Sequence, residues 1–370
     1  MSNICIVPWS QIDLGAMGMI RPCCEYDGFV GDLNEQTILE AYLGEKYTQV
    51  RQDFLDGKFP EGCRKCMLQE QAGLESRRIQ ENRKYSNYLS KIKSTLPWDP
   101  FLIDIKLGNK CNMKCRICAS TNSHLWEPDE QELFGYLRNQ GRNAQWFKND
   151  KVWSELKLGL GQLDTLYISG GEPFIIKENF ELLSHLIDNG RAEYVQVRII
   201  TNGTVKLTTK MIDIFKQFKS VSLMYSIDGV EDEFTYQRHP VKWNKVADNF
   251  IDALQYDFLD ISVVYTVSIF NCLSSQQFLD WCPTKNIFVN FVRDPFVFDL
   301  SVLTDYQKEQ VTNRLSDNII DTQIKKYMTT TFRNVDNIEE QRNHYINGID
   351  KIRNESFKDT FPIVAEILNV

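Results

Sequence analysis

Histidine is scarce in this chain. Its four histidines, His124, His185, His239 and His344, stand in 370 residues with no pair at i, i+4, which argues against a histidine-built metal site. No apolar run reaches the roughly 18–20 residues that a membrane-spanning helix needs, so no membrane is expected as a partner. The opening Met1-Ser2-Asn3-Ile4-Cys5 has neither a basic n-region nor an apolar h-region. No secretory signal is therefore expected, and the expected compartment is cytoplasmic. Positive charge is also in the minority, with 42 Lys and Arg against 50 Asp and Glu and a net charge of −8. The overall basic surface of a non-specific nucleic-acid binder is absent, which leaves a nucleic acid at most a local basic patch. Internal repeats and low-complexity tracts are absent too. At 42% hydrophobic and 25% charged residues, the composition is that of a globular protein, not a disordered one.

Cysteine is present in moderate number, ten in all, too few for a disulfide scaffold. In a reducing compartment, clustered cysteines bind metal or do chemistry. Seven of the ten fall into two spaced groups. One is Cys111, Cys115 and Cys118; the other is Cys5, Cys23, Cys63 and Cys66, with Cys24 beside the second of these.

The middle of the chain alternates between strand-like and helix-like stretches. Strands are expected at Phe101–Leu107, Leu163–Ser169, Tyr194–Thr201, Val221–Ile227, Ile261–Ser268 and Ile287–Val292, each short and rich in β-branched or aromatic residues. Runs such as Ile261–Val267 are almost wholly apolar, as expected of strands covered on both faces. Between them, Phe180/Leu183/Ile187, Met211/Ile214/Phe218 and Val246/Phe250/Leu254 repeat at helical spacing. Six βα units in succession predict a parallel α/β architecture, an open partial (β/α)6 barrel resembling part of a TIM barrel. A flat doubly wound sheet is the alternative.

The expected organisation is a small cysteine-rich α+β domain over 1–66, a helical connector over 67–100 ending near Pro97 and Pro100, the barrel over 101–293 and a helical extension over 294–370. The first two barrel strands stand too far apart for one helix, which predicts an insertion at about 119–160. In the extension, Thr304-Asp-Tyr-Gln307 reads as a capping box opening a helix with Val311, Leu315 and Ile319 on one face.

Chemistry in such folds sits on the loops after the strand ends. After the first expected strand comes Lys110-Cys111-Asn112-Met113-Lys114-Cys115-Arg116-Ile117-Cys118. Three thiolates there suit an iron–sulfur cubane with one open vertex, or a zinc knuckle completed from elsewhere. After the second comes Ser169-Gly170-Gly171-Glu172-Pro173, after the third Thr201-Asn202-Gly203, after the fourth Ser226-Ile227-Asp228-Gly229. These four motifs, in this order and at these strand ends, resemble the radical S-adenosylmethionine (radical SAM) enzyme superfamily over roughly residues 101–293.

The resemblance implies a set of roles. Cys111, Cys115 and Cys118 would ligate a [4Fe–4S] cluster whose fourth iron is chelated by the amino and carboxylate groups of S-adenosylmethionine. An electron delivered there, for instance by flavodoxin or ferredoxin, would split the cofactor and yield a 5′-deoxyadenosyl radical that removes a hydrogen atom from the substrate. Ser169, Gly170, Gly171 and Glu172 would meet the methionyl amino group, and Thr201, Asn202 and Ser226 its methionyl or ribose part. Arg238 resembles the arginine that pairs with the cofactor carboxylate. Ile117 departs from the family's usual aromatic, which packs on adenine. Asp228 is a turn residue or a substrate-facing acid. Cys272, just after the fifth strand, has two readings, a thiol facing the cavity that can donate a hydrogen atom or ligate, and the commoner one of a small buried hydrophobe; Cys282 is expected in the core.

The N-terminal group, Cys5 followed by Gly18-Met-Ile-Arg-Pro-Cys23 and then Cys63-Arg-Lys-Cys66, resembles the opening of the SPASM and twitch domains, here placed before the barrel. The resemblance implies a second, auxiliary [4Fe–4S] cluster on Cys5, Cys23, Cys63 and Cys66, with Cys24 able to replace Cys23. Four thiolates ending in Cys-x2-Cys also suit structural zinc. The expected function is radical SAM oxidation of a peptide or protein side chain. Dehydrogenation of a small alcohol or aminocyclitol is the enzymatic alternative, and a zinc-stapled α/β binding protein the non-catalytic one.

Overall fold

The computed structural model describes residues 4–71, 73, 75–89, 92, 100–329 and 335–370. The expected connector end at Pro97 lies outside the described residues. The chain forms two compact units: Met1–Lys110 with Gly141–Ile199 and Thr208–Ser222, and Cys111–Gln140 with Ile200–Leu207 and Leu223–Val370. The architecture is mixed α/β with an open sheet and a helical C-terminal part.

Nine strands are found among the described residues: β1 (Gln11–Leu14), β2 (Met19–Arg21), β3 (Gly31–Asp32), β4 (Leu102–Ile105), β5 (Thr165–Ile168), β6 (Gln196–Thr201), β7 (Ser220–Ser226), β8 (Leu259–Val267) and β9 (Ile287–Phe291). The last six match the six expected strands to within a few residues at each end. In the first unit the order is β3-β2-β1-β4-β5-β6. β4 pairs in parallel with β5, and β5 with β6.

The N-terminal segment is not set apart from this sheet. β1 runs parallel to β4, placing Gln11, Ile12, Asp13 and Leu14 opposite Leu102, Ile103, Asp104 and Ile105. β2 and β3 continue it as antiparallel edge strands. In the second unit β7, β8 and β9 are neighbours, with β8 and β9 parallel. Right-handed crossovers through helices, such as Lys177–Asp188 between β5 and β6, are the economical way to place successive parallel strands side by side.

Register and the period of two put alternate residues on one face. In the first unit Ile12, Leu14, Ile103, Ile105, Leu166, Ile168, Val197 and Ile199 share a face and are no more than 1% exposed. Each such burial contributes roughly 1.5–3 kcal/mol. The opposite face carries a row of polar and charged side chains in register, Arg21, Asp13, Asp104, Tyr167 and Arg198.

Helical faces shift slightly from expectation. In Lys177–Asp188 the buried positions are Asn179, Leu182, Leu183 and Leu186, so Phe180 and Ile187 flank the buried stripe. The capping box on Thr304 and Gln307 is formed, but its helix ends at Thr312. Asn318 then accepts from the backbone of Ile320 and Asp321 and caps a separate helix, Ile319–Met328, so Ile319 is exposed. No helix among the described residues is long and apolar enough to cross a membrane.

Candidate iron–sulfur centres

The second unit holds the loop Cys111–Cys118. It is seated by backbone pairing, with Lys114 N donating to His239 O at 2.8 Å and Arg116 N to Gln237 O at 2.8 Å. Trp126 Nε1 donates to the carbonyl of Cys115 at 2.9 Å. Cys111 lies beside Asn202, whose Nδ2 is 3.8 Å from its sulfur and 2.8 Å from Asn112 Oδ1. Asn202 Oδ1 accepts from Thr204 N and Oγ1, while Thr201 Oγ1 accepts from Gly203 N. The strand-end residues Thr201 and Asn202 thus belong to the same hydrogen-bonded loop as the first cysteine. Burial pushes the thiols of Cys115 and Cys118 up, and neighbouring Cys115 and Cys111 push Cys118 further. Such thiols stay protonated until a metal displaces the proton.

Arg238 is fully enclosed at this loop. Its Nε and Nη2 donate to Asp228 Oδ2 at 2.9 and 2.5 Å, and its Nη1 lies 3.8 Å from Cys115 Sγ. This corrects the expectation for Asp228. It is 0% exposed, accepts from Thr266 N at 2.9 Å and holds the guanidinium, so it is an internal counter-ion and not a substrate-facing acid. Arg238 in turn commits two donors to Asp228. Ser226 closes β7, half-buried.

For Cys272 the structure favours the buried of its two readings, against a catalytic thiol. It is 1% exposed, its Sγ donates to Ile269 O at 3.5 Å, and burial pushes it up to about 12. A thiol so enclosed behaves as a small core residue. Cys282 is half-buried, with Sγ directed at Thr284 O.

The first unit holds the Gly-Gly loop. Ser169 N continues the ladder to Ile105 O at 3.0 Å. Gly170 and Gly171 then turn at φ +76° and +52°. A Cβ on Gly171 would stand 2.2 Å from Lys110 O, and one on Gly170 2.5 Å from Lys106 Cβ. Glu172 N donates to Lys110 O at 2.9 Å, and the Glu172 carboxylate, 0% exposed, caps the turn by accepting from Phe174 N. Only glycine admits this approach to the end of β4. Gly171→Ala is expected to distort the turn, with about 1–3 kcal/mol from the forced positive φ alone. A binding titration with S-adenosylmethionine on the iron-loaded protein should show affinity reduced at least tenfold.

The same unit gathers the N-terminal cysteines. Cys5, Cys23, Cys63 and Cys66 line one small part-open pocket, together with Arg77 and Arg78. Backbone N–H groups already point at two of the sulfurs, Val7 N at Cys5 and Arg78 N at Cys66. Burial pushes Cys5 up to about 12 and raises Cys23, Cys63 and Cys66 as well. Arg78 is held by Glu70 at 2.9 Å and by the carbonyl of Ile4 at 2.8 Å. Asn82 bonds both Ile4 O and Ile6 N, so the helix Arg77–Lys84 builds the wall against the first cysteine.

Cys24 is not among the residues that line this pocket. Arg77 Nη1 donates to its sulfur at 3.2 Å, and its charged neighbours are Arg77, then Asp104, Glu25 and Asp13. The pocket is completed by Cys23.

Sequence reasoning missed Arg77 and Arg78, assigned to a connector, and the buried polar face of the sheet. There Lys106 bridges Asp13 at 2.7 Å and Asp104 at 3.3 Å. Burial raises Asp104, whereas Lys106 and Arg21 outweigh burial at Asp13 and hold it down.

The donors fit iron–sulfur clusters. Four thiols line one pocket with two arginines suited to an anionic cluster.

An α/β chain with one cysteine-bearing centre in each unit is an iron–sulfur protein of the kind that pairs a catalytic with an auxiliary site. Residues 105–271 match the radical SAM superfamily, and residues 5–67 match the iron–sulfur cluster-binding SPASM domain. The chain thus carries a radical SAM domain preceded by an iron–sulfur cluster-binding domain, and the cofactors that go with these two domains are [4Fe–4S] clusters and S-adenosylmethionine. Comparison with the curated proteins gives no match. Among solved structures, native anSMEcpe with bound AdoMet and Cp18Cys peptide is similar at 16% identity and TM-score 0.41, over 57% of this chain and 58% of that one. The chain thus spans little more than half of that protein's length. Streptococcus suis SuiB bound to precursor peptide SuiA is similar at 13% identity and TM-score 0.38, over 95% of this chain and 73% of that one.

Proposed function

We propose that the protein oxidises a peptide or protein side chain by radical SAM chemistry, with an auxiliary [4Fe–4S] cluster on Cys5, Cys23, Cys63 and Cys66. The observation that carries this reading is the N-terminal pocket, where four thiols meet two arginines and two inward backbone N–H groups. A redox site of that kind accompanies oxidation, in which a substrate radical must give up an electron. Radical SAM proteins with such a domain act on peptides or on small alcohols, and the peptide is the substrate class proposed here.

Cys111, Cys115 and Cys118 would hold the second cluster, which supplies the electron that splits S-adenosylmethionine into methionine and a hydrogen-abstracting 5′-deoxyadenosyl radical. The chain's own residues bind and orient. Arg238 keeps a positive charge at Cys115, Asn202 bonds the loop beside Cys111, and Gly170 and Gly171 leave the end of β4 open to backbone approach. A one-electron donor such as flavodoxin or ferredoxin would serve as partner.

The test is anaerobic. Iron, sulfide and zinc are counted per chain, and the loaded protein is then turned over with deuterated candidate peptides, alcohols and aminocyclitols. The expected result is about eight irons and deuterium in 5′-deoxyadenosine from a peptide alone. Deuterium from an alcohol or aminocyclitol would overturn the peptide assignment, and zinc without iron would overturn the enzyme.

A further inference from the structure

Two arginines link the cysteine loop to the helix Ile338–Arg353 of the second unit. Arg116, between two cysteines, has its side chain 1% exposed. Its Nη2 donates to Asp350 Oδ1 and to Glu355 Oε2, both at 2.6 Å, and its guanidinium stacks on Tyr236 at 3.5 Å. Asp350 also accepts from Tyr236 OH at 2.8 Å and from Phe357 N at 2.6 Å. Glu355 meets His239 Nδ1 at 2.6 Å, on the residue whose carbonyl receives Lys114 N.

The second link runs through Arg353, the last residue of the helix Ile338–Arg353. Its Nε donates to Asp129 Oδ2 at 2.9 Å, and Asp129 Oδ1 accepts from Lys114 Nζ at 2.7 Å. Its guanidinium lies 4.5 Å over Trp126, the ring that holds the carbonyl of Cys115. Arg353 Nη1 and Nη2 are buried without a hydrogen-bond partner. Donors in that state suit a neighbouring anion, as hydrogen bonds to cluster sulfurs do.

We propose that the helix Ile338–Arg353 with Glu355 is a clamp on the cluster-binding loop, in which Arg116, Asp350, Glu355 and Arg353 are positioning residues. This rests on the reading that Cys111, Cys115 and Cys118 hold a cluster. A loop held directly at Arg116, and at Lys114 and Cys115 through the Asp129 and Trp126 that Arg353 contacts, has little freedom left, and coupling of this kind is reciprocal: filling the loop must steady the helix.

Hydrogen exchange on the wild-type chain tests it without any substitution. Loading with iron and sulfide is expected to slow amide exchange at least tenfold over 345–357, with no such change over Asp305–Thr312. Unchanged exchange over 345–357 in protein whose reduced loop cluster gives a SAM-responsive EPR signal overturns the clamp alone. A wild-type chain that takes up no such cluster overturns the clamp together with the reading beneath it.

A second arm uses Asp350→Asn with Glu355→Gln, and the charge-neutral triple that adds Arg116→Gln, which leaves no buried unpaired charge. In whichever folds, the SAM-induced EPR change is expected to be lost and cofactor affinity to fall at least tenfold. A folded variant with the wild-type EPR change and affinity overturns the clamp.

Discussion

Cys115→Ala is expected to abolish reductive cleavage of S-adenosylmethionine while leaving the chain folded. The substitution removes one sulfur from a loop whose course is set by other contacts. Backbone pairing at Lys114 and Arg116, and the Trp126 bond to the carbonyl of Cys115, do not involve the thiol. Iron is expected to fall from about eight to about four per chain, because three thiolates are the fewest that leave a cubane with a single open vertex. Methionine release should drop to the background of the reductant. Cys272→Ala is the matched comparison. That thiol is 1% exposed and bonded to Ile269 O, so iron and cleavage should both remain. Cleavage that survives Cys115→Ala would remove the loop from the chemistry.

The six barrel strands were legible because each is a short β-rich run bounded by turn residues. β1 was not. Gln11–Leu14 is only four residues long, and its partner β4 lies far along the chain, so nothing local announces the pairing. The polar face of the sheet was misjudged for a related reason. Ile261–Val267 is nearly continuous in apolar residues, and that pattern was extended to its neighbours. Yet Gln11-Ile-Asp-Leu14 and Gln196-Val-Arg-Ile199 alternate, and Asp104 breaks the apolar run of Leu102–Ile105. The alternation was there to be read as a sheet with one apolar and one charged face.

The cysteine motifs were legible because thiolate spacing is local. The counter-ion role of Asp228 was not, since it depends on how the helix Glu231–Gln237 sets Arg238 at its C-terminal end against the segment after β7. The links from Arg116 to Asp350 and Glu355 span 234 and 239 residues. Pattern reading has no access to contacts of that range.

Sequence left Cys23 and Cys24 interchangeable, and the geometry separates them. The two cysteines sit in the turn after β2, which Tyr26 N closes by donating to Cys23 O at 3.2 Å. Cys23 lines the pocket with Cys5, Cys63 and Cys66. Cys24 instead takes a hydrogen bond from Arg77 at 3.2 Å and has Asp104 and Asp13 among its charged neighbours. Cys63→Ala and Cys23→Ala are therefore each expected to lower iron from about eight to about four per chain. Cys24→Ala should leave it at about eight. Cleavage of S-adenosylmethionine should stay within about twofold of wild type in all three, because the cysteine loop belongs to the other compact unit. Turnover of substrate should disappear in Cys63→Ala and Cys23→Ala, where the site that would take up the electron is gone. Mössbauer spectra of the as-isolated protein would separate loss of one whole cluster from partial decay of both. Loss of iron in Cys24→Ala with retention in Cys23→Ala would exchange the two assignments. Full substrate turnover in Cys63→Ala would instead reduce the N-terminal centre to a structural one, because a site that carries the departing electron cannot be removed without stopping oxidation.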